Sequence, residues 1–329
     1  GSSAVQSIPQ LAKQAAHLTV FQRTPNFSIP AHNRQLEPEY VAEVKAHYSE
    51  LRAANNLEAG GFGSRTERND GSVFEASEAE RAENFERKWQ IGGFGFLAAF
   101  GDLLMAPESN EFAADFVRSK IRATVKDPAV ADLLCPQQVI GCKRLCVDIN
   151  YFETYNRDNV TLVSVKDHPI ERVTPKGLVT GGKEYEFDCL IFATGFDAMT
   201  GSLTRIDIRG RDGLALKDKW AAGPRTYLGL GSAGFPNLFT ISGPQSPSVL
   251  SNMICSIEQH VNWVTDCILN MRKRGLATIE ADLKAEDAWV AHVNEIADMT
   301  LYPSCNSWYL GANVPGKPRV FMPYVGGLP

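Results

Sequence analysis

The sequence predicts an α/β protein interrupted by a long helical insertion, and three observations carry that reading. At the N-terminus an amphipathic helical repeat runs straight into a short apolar strand. From about Pro30 to Gln138 the composition shifts to Glu, Arg, Ala and Asn with helical periodicity. After Cys142, short apolar strands, glycine turns and one long helix return. A chain of 329 residues suggests about two domains.

Val5, Ile8, Ala12 and Ala15 recur at helical spacing, and Leu18-Thr19-Val20-Phe21 follows as a buried strand. Pro9 should kink that helix unless its first turn begins late. A helix followed at once by an apolar strand is an αβ half of a Rossmann unit, whose helix starts on a glycine-rich turn. Only Gly1 stands where that turn would be. A GxGxxA-type turn ending in Gly1-Ser2-Ser3-Ala4 would place its other glycine, and the first strand, upstream of residue 1. In the insertion, Ser77 and Glu80 form a capping box for a charged helix running toward Trp89. Ala113, Phe116, Val117 and Ile121 mark a second amphipathic helix, and the polar, glycine-bearing stretch from Asn56 to Gly71 reads as a mobile loop. Further on, Val160 to Val163 predicts a strand, Gly177 to Gly182 a hairpin, and Phe187 to Phe192 a strand ending at Ala193-Thr194-Gly195. Leu228 to Gly243 predicts more strands, and Ser251 to Arg272 a long helix.

Composition narrows the function. Hydrophobic residues make up 44% and charged residues 22%, as in ordinary globular proteins. A net charge of −5 with no basic face argues against nucleic acid. No apolar run has the length of a membrane span, and the first residues do not read as a signal peptide. Seven cysteines without a CxxC pair read as reduced thiols of a cytoplasmic protein. Six scattered histidines, without HxxxH or HExxH spacing, give no metal site.

The residue ending the second Rossmann strand selects the nicotinamide cofactor: an acid suits the ribose hydroxyls of NAD, an arginine the 2′-phosphate of NADP. Here the strand ends Phe21-Gln22-Arg23-Thr24. The Arg23 guanidinium offers a bidentate fork and Thr24 a hydroxyl, although spacing alone fits a surface ion pair equally well. Lys143-Arg144 is a pair of cations in an otherwise apolar run, which by default is a solvated pair. Gly195 after an apolar stretch permits close approach of a flavin or nucleotide, or is only a turn.

Taken together, these segments resemble the class I Baeyer–Villiger monooxygenases. The resemblance rests on Val20 through Phe27, Ala193-Thr194-Gly195-Phe196-Asp197-Ala198, and Asp207 through Trp220. Gly243-Pro244-Gln245-Ser246-Pro247 with Asn252-Met253, and Trp308 through Lys317, extend it in the family's order to nearly the whole chain. Within the family the sequence is most similar to phenylacetone and steroid monooxygenases. The family's N-terminal FAD half, with its GxGxxG, and its FxGxxxHxxxW fingerprint are absent, so these residues alone should bind FAD poorly.

The resemblance implies two dinucleotide-binding, Rossmann-like domains with a helical insertion. It puts the NADPH domain at 1–27 and 139–190, the insertion at 28–138, and the C-terminal part of the FAD domain at 191–329. It implies FAD and NADP(H) as cofactors, a small-molecule ketone and dioxygen as partners, no nucleic acid or membrane, and a monomer or weak oligomer. The implied reaction inserts one oxygen atom beside a ketone carbonyl through a flavin C4a-peroxide, giving an ester or lactone.

Arg144 is the implied catalytic cation, because negative charge develops in that step and arginine does not deprotonate. Gly1, Ser2 and Ser3, then Arg23, Thr24 and Lys143, would hold the nicotinamide dinucleotide. Ala193, Thr194, Gly195, Asn252 and Met253 complete the cofactor set, and Trp308 would close over it or serve as a half-buried core tryptophan. Ser248, Val249 and Leu250 would line the ketone pocket, or pack as an ordinary loop. Two other readings are an N- or S-oxidising flavin monooxygenase and a non-catalytic NADP-binding fragment. Neither needs Arg144.

Overall fold

The computed structural model describes residues 1–328. They divide into two compact units, Gly1–Arg34 with Arg68–Gly195, and Gln35–Glu67 with Phe196 onward. In chain order the helices are α1 (Ser2–Gln14), α2 (Pro38–Ala46), α3 (Tyr48–Asn56), α4 (Glu78–Ile91), α5 (Pro107–Thr124) and α6 (Pro128–Leu134). They continue with α7 (Tyr151–Thr154), α8 (Gly201–Thr204), α9 (Leu216–Lys219), α10 (Met253–Lys273) and α11 (Leu283–Asp298). The strands are β1 (Leu18–Gln22), β2 (Ser28–Pro30), β3 (Cys146–Asp148), β4 (Val160–Ser164), β5 (Ile170–Thr174), β6 (Gly177–Thr180) and β7 (Lys183–Glu186). No helix among the described residues is long and apolar enough to cross a membrane.

In the first unit, α1 buries Val5, Ile8 and Ala12, as their spacing predicts, together with Pro9; Ala15, expected on the same face, lies just past the helix end as its C-cap. Pro9 sits inside the helix, and its missing N–H removes the bond that Val5 would accept. β1 pairs parallel with β4, Leu18 opposite Val160 through Gln22 opposite Ser164. β2 pairs parallel with β3, a pair that short runs such as Ser28-Ile29-Pro30 do not announce. The antiparallel β5, β6 and β7 form a separate sheet. Its β6–β7 turn is Gly181-Gly182, with φ of +57° and +71°; two left-handed residues in a row are what a tight hairpin requires.

The segment around α4 to α6 is helical, as expected. Ser77 caps α4 by accepting from the Glu80 N–H at 3.3 Å, while Glu80 Oε2 accepts from the Ser77 N–H at 2.8 Å. The core here is aromatic: Phe85 lies 5.8, 5.4 and 5.6 Å from the rings of Phe96, Phe100 and Phe116. Phe85 is 3% exposed, so truncation would leave a cavity that three rings cannot close. Phe85→Ala is expected to destabilise the protein by about 3–5 kcal/mol, read as a lower urea midpoint at unchanged slope.

The second unit has no named strand among its described residues; its cores centre on Tyr309, Leu310 and Phe321, and on Leu216, Trp220 and Phe235. The strands expected over Leu228–Gly243 are absent because the backbone keeps turning left-handed, at Leu228, Asn237 and Ser242. Phe187–Phe192 is not a strand either. It is apolar, but no described strand pairs with it, and Ile191 and Phe192 stay exposed. The stretch expected to be a mobile loop is anchored at its centre. Gly60 O accepts from the Asn252 N–H at 2.7 Å, and Gly61, at φ +66°, accepts from Cys255 Sγ at 3.3 Å. Of the cysteines, 135, 146, 189, 255 and 267 are free thiols. Cys142 and Cys305 are disulfide-bonded, so the expectation of reduced thiols fails for those two.

Candidate functional site

In the first unit the predicted residues converge from three pieces of chain. The parallel β1–β4 pair brings the end of β1 to one edge, so Arg23 and Thr24 emerge exposed just beyond Gln22. The run before β3 carries Lys143 and Arg144, both half-buried. The first turn of α1 supplies Gly1, Ser2 and Ser3; no side chain caps it, and a Cβ on Gly1 would meet nothing within 4 Å.

Cys146 ties the pieces together. Its buried sulfur lies 3.4 Å from Ser2 Oγ and accepts from Asn26 Nδ2 at 2.9 Å. Asn26 Nδ2 also lies 3.5 Å from the Arg144 carbonyl oxygen, and Gln138 Nε2 donates to the Pro25 carbonyl at 2.8 Å. The turn after β1 is thus bonded to both sides of the Lys143–Arg144 pair. Asn26 and Gln138 are positioning residues that sequence reasoning passed over. The only available signal was an amide directly after the Arg-Thr-Pro turn.

The electrostatics are uncompensated. Burial first, and the nearby Arg23 guanidinium second, push the Lys143 amine below its ordinary value. No carboxylate among the described residues contributes to that balance. Two like charges held together without an acid fit a bound phosphate, which would remove the repulsion and replace lost hydration. Arg144 stands next in sequence, with its guanidinium carbon 5.3 Å from the centre of the Phe94 ring.

Ala193, Thr194 and Gly195 lie on exposed coil, Gly195 at φ +89°. Three exposed coil residues do not by themselves make a flavin site.

In the second unit, Asn252 is the N-cap of the 21-residue α10, its carbonyl accepting from the Ile254 N–H at 3.1 Å, and Met253 opens that helix. Ser248 is 1% exposed at φ +45°, its hydroxyl directed at Met199 Sδ 3.6 Å away. Ser242, Gln245 and Ser248 all carry positive φ without being glycine, a local concentration of backbone strain. Val249 and Leu250 pack beside Trp308 against the cluster of Tyr309, Leu310 and Phe321. Trp308 is half-buried, its ring 4.4 Å from that of Tyr309.

A mixed α/β chain that gathers a cation group beside the start of α1 is what the fold and the site define. Its relatives are more specific. No protein-family profile matches. The chain is 43% identical to a Baeyer-Villiger monooxygenase of Pseudooceanicola batsensis, covering 100% of itself and 60% of that protein. It is 41% identical, at the same coverage, to the phenazine N-monooxygenase PhzNO1 of Lysobacter antibioticus. Among solved structures it matches an oxidized steroid monooxygenase bound to NADP with a TM-score of 0.92 and 49% identity, covering 100% of itself and 61% of that chain. OTEMO in complex with FAD and NADP matches with a TM-score of 0.94 and 40% identity, at the same coverage. The whole chain is homologous to the Baeyer–Villiger monooxygenases, and it spans about 60% of the curated relatives it matches.

Proposed function

We propose that this chain is the NADPH-binding and ketone-handling part of a Baeyer–Villiger monooxygenase, a flavin enzyme that converts a ketone to an ester or lactone. The observation that carries the proposal is the Arg23–Lys143 cation pair, without a carboxylate partner and directly beside Arg144. Arg23, Thr24 and Lys143 bind the 2′-phosphate of NADPH, and the first turn of α1 at Gly1, Ser2 and Ser3 receives its pyrophosphate. Arg144 stabilises the negative charge that develops as oxygen is added beside the carbonyl. Trp308 closes over the cofactor, Asn252 and Met253 shape the cofactor site from the start of α10, and Ser248, Val249 and Leu250 belong to the ketone-binding loop. FAD, when bound, supplies the oxygen-activating chemistry, and Ala193-Thr194-Gly195 passes along it. The NADPH-binding Rossmann-like domain lies at 1–27 with 139–190, the helical insertion at 28–138, and the C-terminal part of a second, FAD-binding Rossmann-like domain from 191 onward. The protein acts on a small ketone as a cytoplasmic monomer or weak oligomer, without nucleic acid or membrane.

The N-oxidising reading is favoured by one observation, the 41% identity to a phenazine N-monooxygenase. Product analysis separates the two.

Arg23→Ala tests the cofactor assignment. In the FAD-loaded protein it is expected to weaken NADPH by about 1–3 kcal/mol, the cost of a lost charged hydrogen bond, while NADH changes little. Parallel titrations of the two cofactors read the difference, and equal losses would remove Arg23 from the 2′-phosphate.

A further inference from the structure

The loop after Trp308 is built onto the turn that follows Gly195. Lys317 Nζ donates to Asp197 Oδ1 at 2.6 Å and to the Ala198 carbonyl at 2.9 Å. Its side chain is 11% exposed, so the ion pair is held largely out of water. Asn313 Nδ2 donates to the Phe196 carbonyl at 2.8 Å. Two side chains of one loop therefore grip three consecutive residues of another.

The same lysine reaches the tryptophan turn with its stem. A Cβ on Gly311 would meet Lys317 Cδ and Cγ at 3.0 Å, and Gly311, at φ +74°, ends the short turn Trp308–Leu310. Gly311 N–H donates to the Trp308 carbonyl at 3.1 Å, and Ala312 N–H to that of Ser307 at 3.1 Å. One side chain thus runs from the Asp197 carboxylate to the glycine that closes the Trp308 turn, its head fixed by charge and its stem by packing.

We infer that Lys317 is a positioning residue: a strut that sets where Trp308 stands relative to the Phe196–Ala198 turn. It touches no cofactor or reacting atom itself. Its consequence for activity rests on the reading that Trp308 closes over the bound nicotinamide cofactor. A charged head that must satisfy both a carboxylate and a carbonyl allows one loop placement, whereas an uncharged stem would allow several.

The test uses Lys317→Met, which keeps most of the stem and removes the ammonium, and Asp197→Asn, which keeps the shape and removes the carboxylate charge. In the FAD-loaded protein labelled with fluorotryptophan, fluorine NMR follows the five tryptophans, with Trp308→Phe assigning the relevant signal. The Trp308 resonance is expected to shift or broaden in both variants while the other signals hold. NADP+ affinity is expected to fall about 10- to 100-fold in Lys317→Met, the range a small misplacement remote from the chemistry can cause. Combined with Trp308→Ala, that loss should not add, because one effect passes through the other. If Lys317→Met fails to fold, Asp197→Asn alone decides. An unmoved Trp308 resonance, or fully additive losses, would overturn the strut. An unchanged NADP+ affinity in Trp308→Ala would instead overturn the cofactor reading of Trp308, and the fluorine spectrum would still judge Lys317.

Discussion

Arg144→Ala in the complete, FAD-loaded enzyme is expected to abolish most ester formation while leaving NADPH binding nearly intact. In the proposed reading Arg23, Lys143 and Thr24 hold the phosphate, so cofactor affinity should not depend on the neighbouring guanidinium. Oxygen addition beside a ketone carbonyl should depend on it, because negative charge develops there and a fixed cation stabilises it. Losing a donor aimed at developing charge costs on the order of 2.7–4 kcal/mol, about a hundred- to a thousandfold in rate, and here a full cation goes. Arg144→Lys should rescue poorly, since an ammonium is a compact point charge without the planar fork that lies over the Phe94 ring. NADPH consumption should persist, with hydrogen peroxide appearing in place of ester. Chromatography of product and a coupled peroxide assay on the same reaction read both. Asn26→Ala should lean the same way, since its amide bonds the Cys146 sulfur and approaches the Arg144 carbonyl.

The largest expected effect on stability belongs to Glu286, which lies away from that chemistry. Its side chain is fully buried near the start of α11, with one oxygen 2.8 Å from Lys219 Nζ and the other accepting from the Ala233 N–H at 2.7 Å. Lys219 is 11% exposed on its side chain, and Arg225 approaches at 3.7 Å. Removing the carboxylate leaves the buried ammonium without its counter-charge, bonded only to the Ala233 carbonyl, and the Ala233 amide without its acceptor. Breaking a buried pair in this way costs about 3–5 kcal/mol, far more than the pair contributes net. Glu286→Ala is therefore expected to lower the urea midpoint at least as far as Phe85→Ala. Glu286→Ala with Lys219→Met should recover part of the loss, because the orphaned charge is gone. No recovery would mean that α11 depends on the carboxylate for packing alone.

Some of this was legible in the sequence because its cause is local. The α1 repeat, the Ser77–Glu80 capping box, and β1 and β4 each follow from a few adjacent residues and stand where expected, whereas the hairpin expected over Gly177–Gly182 is one strand, β6, and the turn that leads into β7. The cation group was legible as residue types, Arg23 after a strand and Lys143-Arg144 in an apolar run. Their proximity was not, because it depends on the pairing of β2 with β3 and on the Asn26 bonds to Arg144 and Cys146. The failures share a cause as well. Phe187–Phe192 and Leu228–Gly243 carry strand-like composition, but a strand is fixed by a hydrogen-bonded neighbour and by sustained extended φ, neither of which composition reports. Lys317, Asn26 and Glu286 were passed over because each works through a partner far away in sequence: Lys317 through Asp197, Asn26 through Cys146, Glu286 through Lys219.

The most direct test of the central claim is to supply the FAD-loaded protein with NADPH, isotopically labelled dioxygen and a panel of aryl, cyclic and steroid ketones, alongside phenazine. The product is then weighed by mass spectrometry against NADPH consumed. Baeyer–Villiger oxidation predicts an ester or lactone carrying one labelled oxygen, formed in near-equal amount to the NADPH spent on at least one ketone. Labelled phenazine N-oxide with every ketone untouched, or NADPH consumed with hydrogen peroxide as the only product throughout, would contradict it.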